Sequence, residues 1–267
     1  MTDFDNRVAI ITGAGSGIGY QIAADLAHAN ASVVINDIDD TLAKRAAETI
    51  VRNGGRAIAV HGDCSNIDII DQLIESACSY FGRVDLAIAN AGITTFGSFL
   101  DYPVDQFQQL VNVNLRGTFY LAQRAARQII DQNSKPTGTS TSATNGGRIL
   151  LMSSVTGIQY HPDLTAYAMS KAAISMLAKS LGAELAKHDI TVNAIAPGAT
   201  MTERTMEDTD YESVWADLTP TGKVSTTTDI SNTALFLLSS QAAQITGQTI
   251  VVDGGWTTVS PPPPGAQ

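Results

Sequence analysis

The sequence predicts one α/β domain over residues 1–259: a Rossmann-type, doubly wound parallel sheet of about seven strands with helices on both faces. Three observations predict it. Short apolar runs of strand length alternate with longer stretches of helical periodicity along nearly the whole chain, the pattern of repeated strand–helix crossovers. The first apolar run leads at once into a glycine turn that opens a helix. Hydrophobic residues make up 44% of the chain, enough for a large core, yet no apolar stretch nears the ~20 residues of a membrane span.

Taken in order, the first strand is Arg7-Val-Ala-Ile-Ile-Thr12, the turn is Gly13-Ala-Gly-Ser-Gly-Ile-Gly19, and the helix begins with Tyr20-Gln-Ile-Ala-Ala-Asp-Leu-Ala27. A second strand over 32–36 ends beside Asp37, and a helix starts near Asp39. Further strands are expected near 56–61, 84–89, 147–152, 190–195 and 248–252, with two long helices near 104–132 and 165–188. Asn133 to Gly147 (NSKPTGTSTSATNGG) is a Ser/Thr/Gly-rich stretch, longer than the usual connection and expected to be a mobile surface loop. The tail 260–267 (SPPPPGAQ) is expected to be disordered, because proline supports neither helix nor sheet.

Two stretches carry chemistry. A strand, a tight glycine turn and a helix N-terminus form a backbone cradle for a pyrophosphate, since unpaired amides and the helix dipole both favour an anion there. The spacing Gly13-x3-Gly17-x-Gly19 is wider than the commoner G-x-G-x-x-G, and a lone glycine cluster would serve an ordinary turn equally well. The second stretch is Ser154-x12-Tyr167-x3-Lys171. Tyr167 and Lys171 stand four apart, so on a helix they share a face. A phenol of ordinary pKa near 10 is a poor base at neutral pH, whereas an ammonium beside it favours the phenolate. A serine on a separate turn can donate a hydrogen bond to the same substrate oxygen. Such a set moves a proton on or off an alcohol oxygen, which calls for a hydride carrier nearby.

Charge argues for which carrier. A carboxylate at Asp37 can accept the adenosine ribose hydroxyls and would repel a 2′-phosphate. Ser16 in the turn and Ile38-Asp39-Asp40 after the strand put no cation beside it, so NAD(H) is expected, with NADP(H) the less favoured cofactor. A plainer role for Asp37 is to cap the following helix.

Thr12-Gly-x3-Gly-x-Gly19, Asn90-Ala-Gly92, Asn114, Ser154, Tyr167-x3-Lys171 and Pro197-Gly198 resemble, in order and spacing, the motifs of the short-chain dehydrogenase/reductase family in its single-domain form. The resemblance covers Arg7 to Trp256. It implies that Gly13, Ser16, Gly17, Ile18 and Gly19 hold the cofactor's phosphates, and that Asp37 and Ile38 flank the adenosine ribose. It places Asp63 and Cys64 at the adenine, although Asp63 could simply shape a turn. Asn90, Ala91 and Gly92 would line the cofactor at the carboxyl edge of the fourth strand, and Pro197, Gly198, Thr200 and Thr202 would hold the nicotinamide. Tyr167 would be the general acid/base, Lys171 would also hold the nicotinamide ribose, and Ser154 would polarise the substrate oxygen. Asn114 would fix a water in a proton relay behind Lys171, while Asn112 reads as a helix-packing polar group.

The implied activity is NAD(H)-dependent interconversion of a secondary alcohol (polyol, sugar, steroid or small hydroxy compound) and its ketone. The alternative is an NADPH-dependent 3-oxoacyl-thioester reductase of the acyl-carrier-protein type. A more distant one is a non-catalytic NAD(H) sensor, against which Asn114, Ser154, Tyr167 and Lys171 all stand. Relatives commonly pair their long helices into dimers and tetramers, and the stripe Ala172, Met176, Lys179, Ala183 permits a homo-oligomer, with a homotetramer expected.

The remaining features narrow the setting. Cys64 and Cys78 make neither a disulfide framework nor a metal site, and no metal is expected. The acidic start Met-Thr-Asp-Phe-Asp lacks the basic region of a signal peptide, so a cytoplasmic location is expected. The net charge of −10 argues against nucleic acid and acidic carrier proteins as partners. Glu203, Glu207, Asp208, Asp210 and Glu212 read as a solvated face of a substrate lid over 199–228, and His161-Pro162 reads as a turn.

Overall fold

The computed structural model describes residues 4–134 and 146–259. Its centre is a seven-stranded sheet in the order β3-β2-β1-β4-β5-β6-β9, with every pairing parallel. These strands are β1 (Val8–Thr12), β2 (Ser32–Asp37), β3 (Arg56–His61), β4 (Leu86–Ala89), β5 (Gly147–Met152), β6 (Ile190–Pro197) and β9 (Thr249–Val252). All five residues of β1 and all eight of β6 are buried, as expected of strands covered on both faces. Alternate side chains feed two cores. Ile11, Val33, Ile35 and Ile88 pack with Ile22 and Leu26 on one face, while Ile10, Val34, Val192 and Ala194 pack with Leu73, Leu121 and Ile174 on the other.

The covering helices are α1 (Gly17–His28), α2 (Asp40–Arg52), α3 (Ile67–Phe81), α4 (Val104–Leu110), α5 (Thr118–Ser134), α6 (Thr165–Glu184), α7 (Tyr211–Leu218), α8 (Thr227–Leu238) and the single-turn α9 (Trp256–Val259). Their ends have local causes. Asp39 accepts from the amides of Thr41 (2.8 Å) and Leu42 (3.0 Å) to start α2. Gly82, at φ 86°, ends α3, and Thr226 and Asp229 form a capping box on α8.

The sheet runs outward from β1 to β3, then resumes on the other side of β1 with β4. Strand order therefore reverses between β1 and β4, and their carboxyl ends open a crevice where ligands bind in sheets of this kind.

The expected strands lie within about two residues of the observed ones, and β6 continues to Pro197. A two-residue parallel pair, β7 (Thr200–Met201) with β8 (Ser225–Thr226), was not anticipated. The expected helix over 104–132 is α4 and α5 joined by a π-helical segment, Val111–Gly117. Helix α5 runs to Ser134 and so takes in the first residues assigned to a loop; 135–145 and the tail 260–267 lie outside the described residues. Among the described residues no helix is long and apolar enough to cross a membrane, and no group of His, Cys, Asp and Glu could hold a metal ion.

Candidate active site

The crevice is a cleft of about 740 Å³, and every residue expected at the site lines it except Gly19 and Asn114. Its floor is the glycine turn. Gly13 and Gly17 adopt φ of 60° and 59°, a region open to glycine at little cost. A Cβ on Gly13 would lie 2.9 Å from the Ala91 Cα, and one on Gly19 would collide with the Asn90 amide and the Gly13 carbonyl. Gly19 therefore acts through close packing behind the turn. Asn90 Nδ2 donates to the carbonyls of Thr12 (3.0 Å) and Gly13 (2.9 Å), and Thr12 Oγ1 accepts from the amides of Asn90 and Ala91 at 3.2 Å each. The end of β4 is thus stitched to the turn.

The amides of the turn are already aimed at anions. Gly15 N–H donates to Asp37 Oδ2 (2.9 Å), and Gly17 N–H donates to Glu203 Oε2 (3.0 Å). The Glu203 carboxylate stands where a phosphate oxygen would, so the cradle fits a pyrophosphate. Reading Glu203 as part of a solvated acidic face is corrected here: it is exposed, yet seated on the helix N-terminus.

Along the adenosine end, Asp37 sits half-buried at the tip of β2, its other oxygen accepting from Asp39 N–H (3.0 Å). Asp39, not Asp37, caps α2, which leaves Asp37 on the cleft wall beside exposed Ile38. Asp63 shapes a turn, its Oδ1 accepting from Ser65 N–H (2.8 Å), and the residue also lines the cleft. Burial, reinforced by neighbouring Asp63, pushes the Cys64 thiol up to about 12. Among the described residues the Lys and Arg side chains lining the cleft are Lys171 and Arg204.

The proton-handling set converges from β5 and α6. Lys171 is 3% exposed; its Nζ donates to the Met152 carbonyl (2.8 Å) and lies 5.5 Å from the centre of the Tyr167 ring. An ammonium carries three donors, so that bond leaves others for a ribose or a phenol. Ser154 Oγ accepts from both the amide (3.2 Å) and the hydroxyl (3.0 Å) of Thr156. With its lone pairs so engaged, its own O–H is the group left to donate to a substrate oxygen. Gly157 lets this turn pack on α6, since a Cβ there would lie 2.7 Å from the Ala172 amide nitrogen.

Asn114 is fully buried behind the cleft within the π-helical segment. Its Oδ1 accepts from Ile93 N–H (2.8 Å), and its Nδ2 donates to the Ile93 carbonyl (3.0 Å) and to Ser170 Oγ (3.1 Å). Gly92 sits between it and the lysine: a Cβ there would be 3.3 Å from Lys171 Nζ and 3.4 Å from Asn114 Oδ1. The expectation for Asn112 is corrected, because it is exposed and lines the cleft.

Past Pro197 and Gly198 the chain turns tightly. Thr200 Oγ1 donates to the Gly198 carbonyl (3.0 Å), Thr202 N–H donates to Thr205 Oγ1 (2.8 Å), and Tyr211 OH accepts from Thr200 N–H (3.3 Å). Burial holds the Tyr211 phenol above the ordinary tyrosine range, so it remains a neutral hydrogen-bonding group in the cleft. Trp215 stacks on His161 at 6.0 Å and meets Trp256 edge-on at 5.6 Å. His161 does form a turn, its Nδ1 lying 2.8 Å from the Pro162 carbonyl.

Known proteins share this layout. The model of the enoyl-(acyl carrier protein) reductase family matches residues 13–257. Versicolorin reductase 1 of Dothistroma septosporum is 34% identical over 94% of this chain and 96% of its own length. A short-chain type dehydrogenase/reductase of Mycobacterium marinum superposes with a TM-score of 0.87 at 32% identity, covering 96% of this chain and 97% of that one. A gluconate 5-dehydrogenase of Burkholderia cenocepacia, solved with NADP and tartrate, gives 0.85 at 31% identity over 96% of each chain. With sequence and fold matched over almost its full length, this chain belongs to the short-chain dehydrogenase/reductase family of nicotinamide-dependent oxidoreductases.

Proposed function

We propose that the protein is an NAD(H)-dependent oxidoreductase that interconverts a secondary alcohol and its ketone. The observation that carries this is the buried Lys171 ammonium held against the Tyr167 ring in a cleft that Ser154 also lines. A nicotinamide dinucleotide bound in the cleft supplies the hydride acceptor or donor.

The residues divide the remaining work. In the oxidative direction Tyr167 takes the hydroxyl proton of the alcohol, and in the reductive direction it returns one to the carbonyl oxygen. The Lys171 charge stabilises the phenolate form and anchors the nicotinamide ribose through its remaining donors. Ser154 donates to the reacting oxygen and orients it. Asn114 holds Ile93 and the wall opposite Lys171 in place, and a water relayed behind the lysine would pass protons to solvent. The glycine turn cradles the pyrophosphate, and Asp37 accepts the adenosine ribose hydroxyls.

Asp37 at the rim, without a cation of its own, supports NAD(H) over NADP(H). A 3-oxoacyl-thioester reductase using NADPH is the second reading. The carrier-protein description of the matching family model favours it, while Asp37 and the net charge of −10 weigh against it. Exposed Met169 and Met176 on α6 and Phe107 and Phe119 on α4 and α5 support a homo-oligomer built on these helices.

The test is a turnover assay in both directions with NAD(H) and NADP(H), followed by the near-ultraviolet absorbance of the reduced nicotinamide. The panel spans polyols, aldoses, hydroxysteroids, simple secondary alcohols and 3-oxoacyl thioesters. Turnover of an alcohol or ketone with NAD(H) is the expected result. Activity confined to thioesters with NADPH would replace it with the second reading.

A further inference from the structure

The glycine turn of this chain holds an anion of its own. Helix α1 begins with no acidic residue in its first turn, and Ser16, at the cap position, makes no side-chain capping bond. Its amides therefore lack a local acceptor. The acceptor comes instead from 186 positions away: Glu203 Oε2 takes the Gly17 N–H at 3.0 Å. The contact is presented by a braced segment. Thr202 N–H donates to Thr205 Oγ1 (2.8 Å), Thr205 Oγ1 donates to the Thr200 carbonyl (3.0 Å), and Met206 N–H donates to the Thr202 carbonyl (3.0 Å). The Thr202 side chain lies close enough to give ordinary contact, 3.7 Å, with a Cβ placed on Gly17.

We propose that Glu203 is an internal competitor of the cofactor: its carboxylate occupies the pyrophosphate position in the free protein and must leave before the dinucleotide seats. The inference rests on the reading of the glycine turn as the cofactor's phosphate cradle. A single amide cannot give its full hydrogen bond to two anions at once, and two anions at one helix N-terminus repel each other. Cofactor binding is thereby coupled to withdrawal of the Glu203 side chain, while the braced Thr200 and Thr202 stay in the cleft wall. Glu203 is a determinant of cofactor affinity, not a catalytic residue.

Glu203→Gln removes the charge with little change of shape, and Glu203→Ala removes charge and acceptor together. Because the side chain is exposed, neither change disturbs the core. Dissociation constants for NADH, ADP and adenosine would be measured by calorimetry on wild type and both variants. NADH and ADP should bind about two- to fivefold more tightly to the variants, the range expected for one exposed charge at a helix N-terminus. Adenosine, which carries no phosphate, should change less than about twofold. Unchanged or weakened NADH binding would overturn the proposal. Equal tightening of adenosine would also overturn it, since the effect would then come through the fold. Wild-type protein that binds neither NADH nor NADPH would instead refute the proposed function, and this inference with it.

Discussion

Replacing Asn114 with alanine tests whether the wall opposite Lys171 is held as the structure shows. The side chain is fully buried and makes three hydrogen bonds, two to the backbone of Ile93 and one to Ser170. Each such bond contributes about 1 kcal/mol net, so their loss costs about 3 kcal/mol. Alanine recovers about 0.7 kcal/mol of helix propensity, and Ile93 is only partly buried, so water can re-satisfy some of its backbone. The net loss should be about 2 kcal/mol, or a fall in melting temperature of about 4–8 °C for a domain of this size. Urea denaturation followed by circular dichroism measures it directly. Ser170→Ala in the same background should show coupling of about 0.5–1 kcal/mol, because the two side chains touch. A loss below about 0.5 kcal/mol for Asn114→Ala would refute the claim that these bonds hold the wall.

Two further outcomes are expected. Asp37→Asn removes the charge at the adenosine end while keeping one acceptor for the Gly15 or Asp39 amide, a cleaner change than alanine. Discrimination between NAD(H) and NADP(H) should fall by roughly tenfold in kcat/KM, and an unchanged ratio would refute the charge argument. Burial raises both thiols above their ordinary value, Cys64 to about 12, so both stay protonated through neutral pH; the less buried Cys78 should be alkylated first by iodoacetamide. Faster labelling of Cys64 would contradict its burial in the cleft wall.

The centre of the sheet was legible because its strands are buried on both faces, unlike the partly exposed edge strands β3 and β9. Runs such as Val8-Ala-Ile-Ile-Thr12 and Leu86-Ala-Ile-Ala89 leave no polar alternation to confuse with a half-exposed strand. The glycine turn, Ser154, Tyr167 and Lys171 were legible because their spacing is local or shared with a family. What escaped depends on contacts distant in sequence. The β7–β8 pair is two residues long and has no period to read. The π-helical segment left a trace, two asparagines and a glycine inside Asn112-Val-Asn-Leu-Arg-Gly117, but only the bonds to Ile93 explain it. Glu203 looked like one acid among five, and nothing in its neighbourhood of the sequence says that it reaches Gly17. Tyr211 and Trp215 are apolar enough to form a wall, yet the stacking of Trp215 on His161 and its edge-on contact with Trp256 are again a matter of tertiary packing.

The central claim is that Tyr167 moves the proton while the cofactor site stands independently of it. Tyr167→Phe keeps the ring beside Lys171 and deletes only the hydroxyl. With the substrate found in the turnover assay, its kcat should fall by about 10²–10⁴-fold, while the NADH dissociation constant should stay within about twofold of wild type. A variant that still turns over at a substantial fraction of the wild-type rate would contradict the assignment of Tyr167 as the general acid and base.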